Sequence, residues 1–244
     1  MPFPRFVVWL VLALSPLPAM SQRGGRGFQS PSDTAAIDMT GFWVSVVTED
    51  WRFRMVTPPR GDYGGVPLSG AGRGAANAWD PEADAANGEA CRSYGAPAIM
   101  RVPGRFHITW EESVLRIDAD AGEQTRLFRF DGSEPAGERT WQGHSAAEWE
   151  YAATARGEPR DGSLKVVTTH MRPGYLRKNG VPYSEDAVLT EYFDRVPAPN
   201  GDEWLVVTTI VEDPAYLTTP FITSTHFRRE ADGEAWSPEP CSAL

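Results

Sequence analysis

Along most of this chain the apolar residues come in short runs rich in Val, Ile, Thr, Phe and Trp, separated by Gly, Pro, Asp and Asn. β-Branched and aromatic side chains suit a pleated, half-buried strand, and the separators suit turns. The runs read as strands are 41–47, 51–56, 106–111, 114–118, 124–130, 148–154, 164–170, 188–196, 204–211 and 222–229. About ten strands with little helix predict an all-β sandwich or barrel. Three polar stretches, Glu111-Glu112-Ser113, Asp120-Ala121-Gly122-Glu123 and Pro199-Asn200-Gly201-Asp202, each lie between neighbouring apolar runs. They predict hairpins, so the flanking strands are expected to be antiparallel.

One stretch breaks this pattern. Residues 57–105 hold no convincing strand but carry Pro58-Pro59, many Gly and Ala, and Ser69 ahead of Gly70 to Trp79. They predict a helical and loop insertion with one or two short helices, of the kind that rims a site. Internal repeats are not visible, and residues 38–244 read as one domain.

The first residues point to export. Arg5 supplies a positive charge, Phe6 to Leu14 an uncharged apolar core, and Ala19-Met20-Ser21 the small residues of a cleavage site. Residues 1–21 therefore read as a signal peptide and residues 22–37 as a flexible linker, placing the chain in the periplasm or outside the cell. No later run approaches the roughly 20 apolar residues of a membrane span. The two cysteines, Cys91 and Cys241, would meet an oxidising compartment, where an even count favours a bridge, two buried free thiols being the alternative.

With 41% hydrophobic residues and nine Trp, the chain has material for a core. Its net charge of −10 makes nucleic acid and anionic membrane surfaces poor partners. The oligomeric state is not legible from these features.

Gly41-Phe42-Trp43 opens the first strand and resembles the G-x-W motif of lipocalin-like (calycin) barrels. That resemblance implies a closed antiparallel barrel, with a late basic residue, Arg228 or Arg229, packed over Trp43. A wider set covers most of the chain after the leader: Trp141-x-Gly143-His144-Ser145-x-x-x-Trp149-Glu150, Thr190-Glu191-Tyr192-Phe193, Thr209-Ile210-x-x-Asp213-Pro214-x-Tyr216-x-Thr218-x-Pro220-Phe221, and a Cys ahead of a Gly-x-Pro-x-x-Met stretch, Cys91 to Met100, with a second Cys near the C-terminus. It resembles a family of exported bacterial proteins to which no activity is attached. The resemblance implies a Cys91–Cys241 bridge and nothing catalytic. His170 stands where the family pattern has Gly.

Two functions from different classes are compatible with these residues. In the first, Trp43, Trp110, Trp149, Tyr192 and Trp204 line a barrel that binds a small apolar or aromatic molecule. The bland alternative is that most of them simply fill a core. Arg52, Arg54, Arg101, Arg116 and Arg126 would then supply a mouth that grips a carboxylate, unless they are solvated surface residues. In the second, a small isomerase, hydratase or lyase would use His144, Glu191 and His170 as acid and base groups, provided they converge. An inward Glu191 or Glu150 would have its pKa raised by burial. The four His show none of the close spacings of metal ligands, and no loop has a phosphate-binding pattern, so no metal or other cofactor is implied. Gly143-His144-Ser145 does not continue as a nucleophile elbow, because Ala147 replaces the final Gly.

Overall fold

The computed structural model describes residues 1–2, 29–153 and 161–243. Residues 3–21 of the expected leader, with its cleavage site, and the first segment of the linker lie outside the described residues, as does Thr154 at the end of one expected strand.

Nine strands close into a barrel: β1 (Gly41–Val46), β2 (Arg105–Glu111), β3 (Val114–Ala119), β4 (Gln124–Arg129), β5 (His144–Tyr151), β6 (Gly162–Thr169), β9 (Val188–Pro197), β10 (Glu203–Glu212) and β11 (Phe221–Glu230). A two-stranded ribbon, β7 (Gly174–Arg177) and β8 (Val181–Tyr183), stands outside it. The barrel order is β1-β11-β10-β9-β6-β5-β4-β3-β2, with β2 returning to β1. The three expected hairpins all form antiparallel pairs, β2 with β3, β3 with β4 and β9 with β10. One contact is parallel, a short seam pairing Phe128 with Ser145 and Arg129 with Ala146. Geometry demands such a seam. Each antiparallel contact reverses strand direction, so an odd-numbered ring cannot close without a parallel one.

Strand alternation sends Leu164, Val166 and Thr168 inward from β6 and Leu205, Val207 and Thr209 inward from β10, and all six are buried. Trp43, Leu115, Phe128, Phe193 and Phe227 join Leu164, Val166, Leu205 and Val207 in one packed cluster. The barrel is filled by its own side chains.

The segment before β1 closes one end. Ile37 and Met39 are buried, Trp43 Nε1 donates to Met39 O at 2.8 Å, and Trp149 Nε1 donates to Pro31 O at 3.1 Å. Tyr151 hydroxyl adds a bond to Thr34 O. Residues 31–39 thus pack against the barrel, although those up to 37 read as linker in the sequence. Arg229, not Arg228, lies over Trp43, its guanidinium carbon 5.7 Å from the ring centroid.

The segment between β1 and β2, which holds the insertion, closes the other end with α1 (Trp51–Arg54), α2 (Gly70–Asn77), α3 (Pro81–Ala86), a 3₁₀ turn over Ala90–Tyr94 and α4 (Ala96–Ile99). Ser69 caps α2 by accepting from Gly72 N at 3.1 Å, and Asp80 caps α3 ahead of Pro81. The expected strand over 51–56 is instead α1 and the residues after it. Both edges of β1 are already paired, so this apolar run has no free edge to join, and it turns helical after Asp50 in the left-handed region at φ 49°. β7 and β8 were not expected from the sequence, although Asn179-Gly180 between them is a strong hairpin signal. β5 begins at His144, earlier than expected.

Cys91 and Cys241 form a disulfide, Cα atoms 5.1 Å apart. It holds the C-terminal tail against the β3–β4 turn, where Gly122 N donates to Glu239 O at 2.8 Å and Glu239 N to Asp120 O at 2.9 Å. No helix among the described residues is long and apolar enough to cross a membrane.

Candidate functional site

The acid and base candidates do not meet. Glu191 points into the barrel and is fully buried, where Arg126 grips it with two parallel bonds of 3.0 and 2.6 Å. Arg126 reaches on to Thr168 Oγ1, which bonds Ser145 Oγ at 2.7 Å. His144 lies on the outer face, its Nε2 2.8 Å from Ser133 O. His170 adopts φ 57°, the region that favours glycine, with Nε2 3.0 Å from Gly137 O. Glu150 points outward, 3.8 Å from Lys165 Nζ. Among the described residues no three His, Cys, Asp or Glu are grouped to hold a metal ion.

The five aromatic candidates scatter as well. Trp43 is core. Trp110 and Trp149 flank Phe130 near the end closed by the N-terminal segment, at centroid distances of 5.5 and 5.6 Å. Tyr192 and Trp204 lie on the outer face, because their neighbours Phe193 and Leu205 point inward. They do not share a cavity.

The cleft lies elsewhere, at the end covered by the insertion. It measures about 310 Å³ and opens between α1, the 3₁₀ turn with α4, the β7–β8 ribbon and the disulfide-held tail. Phe53, Met55 and Val56 supply one apolar side, Ala98 and Leu176 contribute at other points, and Tyr94 adds an aromatic surface. Met55 and Val56 are 58% and 66% exposed, and neighbouring Trp51 is 64% exposed, so one short segment presents three large apolar side chains to solvent.

Four cations line the same cleft: Arg54, Arg101, Arg177 and Lys178. The three arginines are buried, at 8%, 5% and 4% exposure. Arg54 Nε donates to Arg101 O at 2.9 Å, and its Nη1 pairs with Glu49. Arg101 Nη2 bonds Asp50 Oδ2 at 2.9 Å, while Arg177 Nη2 lies 3.8 Å from that same oxygen. Arg177 Nη1 donates to Gly64 O at 2.7 Å, and its guanidinium sits 4.1 Å from the Phe53 centroid. Lys178 Nζ lies 4.8 Å from the Tyr94 centroid. Glu49 is already shared with His226, whose Nδ1 is 2.9 Å away. Burial, with Arg101 nearby, pushes the Arg177 guanidinium down to about 10, and burial chiefly lowers Arg54 too. Among the described residues, Arg54 Nη2 and Arg177 Nε have no acceptor.

Of the arginines expected at a mouth, Arg54 and Arg101 reach the cleft. Arg52 pairs with Asp62 on the surface, Arg116 with Asp118 and Glu111, and Arg126 with Glu191 inside the barrel. Arg177 and Lys178 were not among the expected residues, though the Asn179-Gly180 signal places a basic pair at a hairpin tip. A second, shallower depression of about 340 Å³ lies between His107, Gln124 and Trp236. Compared with family models, with curated proteins and with solved structures, the chain matches none.

Proposed function

We propose that this chain is an exported binding protein for a small apolar or aromatic molecule, held in the cleft under the insertion and not within the barrel. The observation that carries this reading is a cleft of about 310 Å³ with Phe53, Met55 and Val56 along one side. Small-molecule sites are concave, largely apolar and of about 300–1,000 Å³. Export rests on the Arg5 to Ser21 pattern, and the disulfide suits an oxidising compartment. The enzyme alternative needs His144, Glu191 and His170 within mutual reach, and each of the three has a different partner.

The test is native mass spectrometry of the protein recovered from its own host, followed by mild denaturation. A stoichiometric small molecule is expected with the wild type and absent with Thr57→Trp, which fills the cleft from a half-buried lining position. A ligand that survives Thr57→Trp, or a clean apo mass for the wild type, counts against the reading.

A further inference from the structure

Burying a guanidinium costs several kcal/mol unless charge and hydrogen bonds compensate it. Compensation here is incomplete. Three arginines share two carboxylates, Glu49 and Asp50, and Asp50 serves both Arg101 and Arg177 through one oxygen, while Lys178 faces the Tyr94 ring. Asp50 is itself 40% exposed at the side chain, and Glu239 lies on the opposite, tail side of the cleft. With Asp62, which also acts on Arg177, and its partner Arg52 included, the local balance is five positive against four negative, a single positive excess on a protein whose overall charge is −10. Within the cleft cluster Arg54 Nη2 and Arg177 Nε lack acceptors, as Arg126 Nε and Arg195 Nε do elsewhere. An acidic chain has many carboxylates to offer, yet Arg101 and Arg177 share one and Lys178 lies over an aromatic ring.

We propose that the ligand of the cleft is an organic monoanion, a carboxylate on an apolar or aromatic body. Its charged end sits against Arg177 and Lys178, with Arg101 and Arg54 behind them, and its body lies along Phe53, Met55 and Val56. This inference rests on the binding reading above and deepens it. A single negative charge matches the excess, whereas a doubly charged phosphate would face Asp50 and Glu239 across the same small space. A planar guanidinium pairs with carboxylate and phosphate alike, so the choice of a carboxylate rests on the charge count.

The experiment is isothermal titration of the disulfide-intact protein with phenylacetate, 4-phenylbutyrate, 1-naphthoate and decanoate, each beside its neutral amide and, for the phenylbutyl body, its phosphate ester. At least one acid is expected to bind tenfold or more tightly than its amide, and the preference to shrink as salt rises. Arg177→Gln is expected to abolish the preference. Because that residue is buried, Lys178→Gln, at a half-buried position, provides a second variant expected to reduce it several-fold with the fold intact by circular dichroism. Acid and amide binding equally would overturn the anion inference while leaving an apolar cleft. A phosphate ester binding more tightly than the acid would overturn the carboxylate assignment. No binding by any probe at millimolar concentration would sink both readings.

Discussion

At the scale of single residues, the most consequential contact is the ion pair between Arg126 and Glu191, almost completely removed from solvent. Glu191 lies in a β9 segment otherwise rich in apolar and aromatic residues, which suggested a proton carrier, and it does point inward. What the residue's own strand could not disclose is that β4 brings Arg126 to the same interior. Both oxygens of this carboxylate are taken up by the Arg126 guanidinium, so burial ends in a structural pair. Removing one partner of such a pair strands the other charge, which costs about 3–5 kcal/mol, whereas replacing both by apolar groups is often neutral. Glu191→Ala is therefore expected to lower unfolding free energy in urea by about that amount. The double replacement Arg126→Met with Glu191→Leu is expected to recover most of it.

At the scale of elements, the disulfide and the β7–β8 turn shape the cleft. The bridge spans 150 residues and holds the tail that carries Glu239 and Pro240 to the cleft edge. In the chain-entropy model, cross-linking so long a loop is worth at most about 5 kcal/mol. Cys91→Ser with Cys241→Ser is expected to lower the thermal midpoint, and reductant is expected to shift the wild type and leave the double variant unmoved. Gly180 ends the turn after Lys178 at φ 79°, and a Cβ there would overlap the Trp79 ring. Gly180→Ala is accordingly expected to cost about 1–3 kcal/mol, read by chemical denaturation, and to displace Arg177 and Lys178 from the cleft. That turn was legible in Asn179-Gly180. The position of α1 was not, because nothing local to 51–56 says that β1 has no free edge.

At the scale of the molecule, carboxylates set the response to acid. Bonds from Arg229 and Arg195 hold Glu203 below its ordinary value of 4.5. Burial opposes the same shift at Asp118, but bonds from Arg116 and Thr125 outweigh it. A carboxylate depressed in the fold stabilises above its unfolded pKa, and that contribution is lost as pH falls through the folded value. Asp120 has the opposite sign, since burial raises it above 3.8 and the fold holds its proton more tightly than the unfolded chain. The urea midpoint is expected to fall below about pH 4.5, and Asp120→Asn, by removing the opposing contribution, to steepen that fall.

Composition and the spacing of apolar runs determined that this chain is all-β, that three hairpins join neighbouring strands, that Ser69 starts a helix and that 57–105 is an insertion. Each of these depends on contacts within a few residues. Barrel closure, the parallel seam, the pairing of Arg126 with Glu191 and the separation of His144 from it were decided only in three dimensions. So was the cleft, whose cations come from positions 54, 101, 177 and 178. A basic residue carries no sign in sequence of whether a carboxylate will stand beside it. That depends on which distant strands and turns the closed barrel brings to one end.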